Sequence, residues 1–326
     1  MKTLIRIQFL TILGSLLILL TKAVAYFLTG SNAILSDVLE SCINVVAGSF
    51  ALYSLKVASR PRDENHPYGH GKIEFLSATL EGSLIIMAGI LIIGKSIYNF
   101  VFPYEVHQLD VGIYLTAIAG LFNFFIGGVL VYQGKKNHSM TMEADGKHLL
   151  SDAYSTVGMI LGLGIVYFTN LYWIDNLIAM IFGLIISITG VQILKKSIAG
   201  IMDEADEKLL GSIVRTLQEN RKENWIDLHN LRVIKYGSIL HLDCHMTLPW
   251  FYDNRESHTE LDEIEKLIKH HYGDQAEMFI HTDPCKDNSC RLCQLSSCDV
   301  RKNTFETTLV WTVKNVLSDA QHELRS

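Results

Sequence analysis

The sequence predicts a membrane protein, with an all-α six-helix transmembrane domain plus a cytoplasmic α+β domain. Three observations carry that prediction. Six apolar stretches are each long enough to cross a bilayer, Lys and Arg cluster in alternate connections, and the texture turns polar and mixed-charge after residue 203. Mean hydropathy is +0.22 and only 19% of residues are charged, a balance that soluble chains of this size rarely reach. A net charge of -6 offers no basic groove, which argues against nucleic acid as a partner.

A spanning helix needs about 20 mostly apolar residues. The stretches 5–28, 33–57, 74–100, 110–133, 143–169 and 173–198 meet that requirement. Lys2, Arg6 and Ala23-Val24-Ala25 imitate a secretory signal, but the run Ile7 to Leu28 outlasts a signal's apolar core, so a retained first helix is expected. Basic residues fall at the N-terminus, in the second connection (Lys56, Arg60, Arg62, Lys72), in the fourth (Lys135, Lys136, Lys147) and after the sixth span (Lys195, Lys196). The first, third and fifth connections (29–32, 102–109, 170–172) hold none. Under the positive-inside rule both termini are cytoplasmic.

The domain at 203–284 reads as helix, strand, strand, helix, strand. Residues 206–219 place Leu209, Leu210, Ile213, Val214 and Leu217 on one face. Segments 230–235 and 238–248 are strand-like around a turn at Tyr236-Gly237, 256–272 is amphipathic, and 276–281 closes the order. A small two-layer α/β sandwich fits. Beyond it, 285–326 is expected to be a Cys-rich segment followed by a helix near 304–320.

Ionisable residues inside a span are costly and usually face a pathway or a partner. Glu40 and Asn44 are four residues apart in the second span, and His148 and Asp152 are four apart in the fifth, so each pair shares a helix face. Two such faces meeting would give a four-ligand nitrogen and oxygen site suited to zinc and its first-row neighbours. Taken singly, Asn44 could be interhelical hydrogen-bond glue and His148 a solvated interfacial residue. Glu40 and Asp152 are harder to explain structurally, because two buried carboxylates require a cation. Glu81 in the third span reads either as a proton-carrying residue or as a helix contact. In the second connection Asp63, His66 and His70 have metal-ligand chemistry, with surface histidines as the alternative. Cys285-x4-Cys290-x2-Cys293-x4-Cys298 could hold a metal as four thiolates or stand as unmetallated thiols. Cys42 reads as a small apolar residue.

Ser31-Asn32-Ala33-Ile34-Leu35-Ser36-Asp37, His66-Pro67-Tyr68-Gly69-His70-Gly71-Lys72, His148–Asp152 and Ile280-His281-Thr282-Asp283-Pro284 together resemble the cation diffusion facilitator family. The resemblance covers nearly all of residues 1–285. It implies a homodimer of six-span subunits in the lipid bilayer, each with a ferredoxin-like (metallochaperone-like) cytoplasmic domain. It also implies export of zinc or a related divalent ion in exchange for protons, from a bacterial plasma membrane. The transport site would be Glu40, Asn44, His148 and Asp152, and the loop site Asp63, His66 and His70. The cytoplasmic-domain site would be His241, His258, His281 and Asp283, with His245, His270 and His271 as spares. The family usually places His or Asp at position 40 and Asp at position 44. The departures here weaken the case for zinc alone and admit iron, manganese, cobalt or cadmium. A membrane metal sensor or scaffold without transport is the alternative. No His-Glu-x-x-His helix or nucleophile motif points to an enzyme.

Overall fold

A computed structural model describes residues 2–102, 108–136, 140–236, 239–274 and 276–324. Its first part is six long helices: α1 Lys2–Thr29, α2 Asn32–Ala58, α3 Ile73–Val101, α4 Leu109–Lys136, α5 Met140–Thr169 and α6 Trp173–Ile201. All six are long and apolar enough to cross a membrane. A helix bonds its own backbone, which is what lipid demands of a spanning segment. The bundle is apolar outside and polar within. Phe27 and Phe168 are more than four-fifths exposed, whereas Lys22, Asp37, Asp152 and Asp175 are buried.

Helix α3 runs along α6, and α4 along α5. Small residues permit that closeness. A Cβ at Gly89 would lie 2.7 Å from the Gly183 carbonyl oxygen, and one at Gly146 would lie 2.8 Å from that of Gly127. The entry to α2 is tied to α6. Ser31 caps the helix, and its hydroxyl donates to Asp175 Oδ1 at 2.6 Å. The backbone N–H groups of Asn32 and Ala33 donate to the same carboxylate at 2.7 and 3.2 Å. A buried carboxylate at a helix N-terminus meets free N–H donors and the positive end of the helix dipole. The Ser31-Asn32-Ala33 motif therefore fixes how α2 starts.

The C-terminal part contains α7 Glu207–Glu219, β1 Asp227–Tyr236, β2 Ile239–Leu248, α8 Asn254–Tyr272 and β3 Ala276–Pro284. The sheet order is β1-β2-β3, with β1 antiparallel and β3 parallel to β2. Along β2, Leu240, Leu242, Cys244, Met246 and Leu248 join one core with Leu210, Ile213, Leu217, Ile264 and Ile268 of the helices. Strand alternation then turns His241, Asp243 and His245 to the opposite face. Asp206 caps α7 and Asp253 closes a capping box on α8.

The chain forms two compact units. One holds residues 1–61 and 72–201, and the other holds 62–71 together with 202–326. The α2–α3 connection thus clusters with the C-terminal domain. Gly237 and Ser238, expected in the β1–β2 turn and the start of β2, lie outside the described residues, as do 103–107 of the third connection.

The helix expected near 304–320 is confined to α9, Val313–Val316. The preceding backbone bonds to the Cys-rich loop instead: the N–H groups of Glu306 and Thr307 donate to Arg291 O. Thr304, Thr307, Thr308, Val310 and Thr312 are β-branched, which disfavours helix and suits the extended course. Trp311 and Val316 join the domain core, so 285–324 packs as part of the C-terminal domain.

Candidate metal centres

Three groups of His, Cys, Asp and Glu among the described residues bring their ligand atoms within 4.8 Å of one another. The first is Glu40, His148 and Asp152. The four-residue spacing stacks Glu40 and Asn44 on one face of α2, and His148 and Asp152 on one face of α5. Asn44 joins the two helices. Its amide nitrogen donates to Asp152 Oδ2 at 2.6 Å, and its Oδ1 lies 2.9 Å from His148 Nε2. His148 Nε2 is 3.9 Å from Asp152 Oδ1. A charged donor set, one imidazole and an amide oxygen face one another inside a membrane bundle. All four transport-site residues read from the sequence are brought together. Glu81 lies within electrostatic reach of His148 and Asp152.

Sequence reasoning missed what stands beside this group. Lys22 of α1 is fully buried and donates to Asp37 Oδ1 at 2.6 Å. Asp37 precedes Glu40 by one turn, and the ammonium lies within electrostatic reach of Glu40 and Asp152. The signal was an apolar first span interrupted by one lysine.

The second group is Asp63, His66 and His70. Asp63 Oδ1 accepts from the His66 backbone N–H at 2.7 Å and lies 2.9 Å from His66 Nδ1, and Asp63 Oδ2 is 3.4 Å from His70 Nε2. Hydrogen bonding from His66 holds the Asp63 carboxyl below the usual aspartate range. Gly69 has φ +89°, a turn conformation that favours glycine, and the rings of His66 and His70 lie 4.3 Å apart, tilted by 36°. This loop is anchored within its own unit. Tyr68 stacks on Tyr236 at 5.4 Å and meets His241 edge-on, and Arg62 pairs with Glu277 at 2.5 Å.

The third group is His229, His245 and Asp283. His229, His245 and His281 stand in register across β1, β2 and β3. Asp283 Oδ2 lies 3.2 Å from His229 Nε2 and 3.0 Å from His245 Nδ1, and the His245 and His281 rings are 4.6 Å apart. Behind them, Asp227 Oδ2 is 3.3 Å from His229 Nδ1, while His322 donates its backbone N–H to Asp227 at 2.9 Å. A carboxylate behind a ligating histidine fixes its ring and tautomer. Of the residues expected here, Asp283 joins the group, and His281 stands beside it with its Nε2 3.5 Å from Asp283 Oδ1. His241 sits with Tyr68, Asp243 and Glu277, and His258 is exposed beside Asp262. His245, a spare in the sequence, takes the central place, and His229 was not anticipated. Spacing along the chain does not reveal strand register, and a bulge between His229 and Arg232 shifts it further.

The four cysteines of the C-terminal segment are all free, and no group with ligand atoms within 4.8 Å includes them among the described residues.

Two family models match the chain. Residues 9–202 match the cation efflux transmembrane domain, and residues 205–285 match the cytoplasmic domain of cation efflux proteins. Among curated relatives, an uncharacterized transporter of Synechocystis is 28% identical over 82% of this chain and 86% of its own length. The cadmium, cobalt and zinc/H(+)-K(+) antiporter of Bacillus subtilis is 26% identical over 90% of this chain and 93% of its own. The cation-efflux pump FieF of Salmonella paratyphi A is 24% identical over 82% and 88%.

Proposed function

Because the chain belongs to the cation diffusion facilitator family, we propose that it exports divalent transition-metal ions from the cytoplasm in exchange for protons. The observation that carries this reading is the convergence of Glu40, His148 and Asp152, with Asn44 bridging the last two. With both carboxylates ionised and the imidazole neutral, the group carries two negative charges, the complement of one divalent ion. Lys22 and Asp37 neutralise each other beside it and leave that balance unchanged.

The cycle is alternating access. An ion arriving from the cytoplasm displaces the Asn44 hydrogen bonds and takes oxygen from Glu40, Asp152 and Asn44 and nitrogen from His148. The helices rock and the site opens outward. Protons then compete for the same atoms and release the ion, since metal ligands must be deprotonated to bind. Zinc fits the donor set, and the neutral amide at position 44 admits iron, manganese, cobalt or cadmium. The clean alternation of basic connections supports cytoplasmic termini, in keeping with a bacterial plasma membrane. The protein acts as a homodimer, and metal on the sheet group and on the loop group regulates it.

Metal uptake into proteoliposomes across a pH gradient tests the reading. Asp152→Ala and Glu40→Ala should abolish flux in protein that still folds. Normal flux in either variant overturns the site assignment. Metal-dependent conformational change with no flux in the unaltered protein would favour a sensor instead.

A further inference from the structure

The match to the cytoplasmic-domain family ends at residue 285, so Cys290, Cys293 and Cys298 lie beyond it. We propose that Cys285, Cys290, Cys293 and Cys298 form a separate thiolate metal centre, which holds a zinc ion or an iron–sulfur cluster resident in the C-terminal domain. Its chemistry differs from the nitrogen and oxygen groups elsewhere in the chain: four sulfurs select soft and borderline metals.

The segment is a built loop. Cys285 directly follows β3; its backbone N–H donates to Leu248 O at 2.9 Å, and its sulfur accepts the Trp250 N–H at 3.4 Å. A backbone N–H aimed at sulfur steadies a thiolate. The Arg301 guanidinium then gathers the chain that carries the other three. It donates to Cys290 O at 2.8 Å, Cys293 O at 3.1 Å and Leu295 O at 2.7 Å. Cys293 is buried at the centre of this wrap. Arginine bound only to neutral carbonyls leaves its positive charge uncompensated. Arg221 donates to the carbonyls of Trp225, Ile226 and Leu309 and lies over the Trp311 ring; its guanidinium faces the Asp227 carboxylate first and Cys293 second. Four thiolates around one Zn²⁺ carry two net negative charges, and the Arg301 guanidinium offsets one of them.

The thiols sense one another electrostatically. Thiols bind metal as thiolates, so metal binding would release protons and strengthen as pH rises. Zn–S bonds of about 2.3 Å place tetrahedral sulfurs about 3.8 Å apart. The sulfurs here stand wider than the close groupings elsewhere. A zinc ion would draw the four sulfurs to that tetrahedral spacing, and iron with bridging sulfide is the other group that four cysteines hold.

The full-length protein, purified anaerobically in detergent, decides the matter through metal and sulfide analysis and Co²⁺ spectroscopy. Relative to Cys290→Ser/Cys293→Ser, the unaltered protein should carry additional metal. Zinc without sulfide identifies a single ion, iron with sulfide identifies a cluster, and either supports the proposal. After metal removal, Co²⁺ should give sulfur-to-cobalt charge-transfer absorption, which His and carboxylate sites do not produce. Added zinc should also shield the four thiols from maleimide. Absence of the charge-transfer band in the unaltered, folded protein, with equal metal in the variant, overturns the proposal. None of these readouts depends on transport.

Discussion

At the scale of single residues, position 44 is where the proposed transport site is most directly tested. Asn44 offers one neutral oxygen where a carboxylate would contribute charge, and it bonds both His148 and Asp152. Asn44→Asp would add a negative charge and remove the N–H that satisfies Asp152. Zinc affinity should rise by about tenfold, equal to about 1.4 kcal/mol, and a competition series of Zn²⁺, Mn²⁺, Fe²⁺, Co²⁺ and Cd²⁺ in the flux assay should shift toward zinc. An unchanged order would mean that Asn44 spaces the helices without touching the ion. Lys22 makes a second case. Lys22→Met leaves Asp37 buried without its cation, a change that costs about 3–5 kcal/mol, so the variant should melt earlier in detergent. Lys22→Met/Asp37→Asn should recover most of that loss. That Glu40 and Asn44 share one helix face, and His148 and Asp152 another, was legible because helical spacing is local. Lys22 and Asp37 were not, because their partnership crosses between helices and no period within either sequence encodes it.

At the scale of elements, hydrophobic period located every strand and long helix, and the backbone then extended most of them by a few residues. Register escaped that reading. Whether His241 or His245 meets His281 depends on how β2 aligns with β3, and alternation places both histidines on the same face. His229→Ala and His245→Ala should therefore each weaken zinc binding to the C-terminal domain, and Asp227→Asn should do so by about 10–100-fold through loss of ring orientation. His241→Ala should leave that affinity unchanged; isothermal titration of protein lacking transport-site ligands would separate these outcomes. Cap contacts are more local than register. Asp206 accepts the Leu209 N–H at 3.1 Å and pairs with Lys235 at 2.8 Å, and the Lys235 hydrogen bond followed by the Leu209 N–H holds its carboxyl below the usual range. A carboxyl lowered in the fold contributes stability above its unfolded value, near pH 3.9, and loses it as pH falls through the folded value. Asp206→Ala should cost about 1 kcal/mol at pH 7, and the difference from the unaltered protein should fade in acid, measured by thermal unfolding.

At the scale of the whole molecule, span number was readable because lipid forces each crossing to satisfy its own backbone, which leaves a long apolar signature in the chain. The allegiance of the α2–α3 connection was not readable. Residues 62–71 link two spans in sequence yet belong to the compact unit of the C-terminal domain. The ties responsible are the Tyr68–Tyr236 stack and the Arg62–Glu277 pair, both joining residues far apart in the chain. An exposed ion pair alone contributes about 0–1 kcal/mol, so the aromatic stack should dominate. Tyr68→Ala should therefore free the loop more than Arg62→Ala does. Limited trypsin digestion of the full chain reads this through cleavage at Lys72, which is followed by Ile73 and retained in every variant. Cleavage should quicken several-fold in Tyr68→Ala, slightly in a Glu277→Gln variant, and slow again when zinc loads Asp63, His66 and His70. Equal cleavage rates in all three proteins would mean that the stack does not hold the loop. Metal on the loop would then have no route through Tyr68 to the sheet.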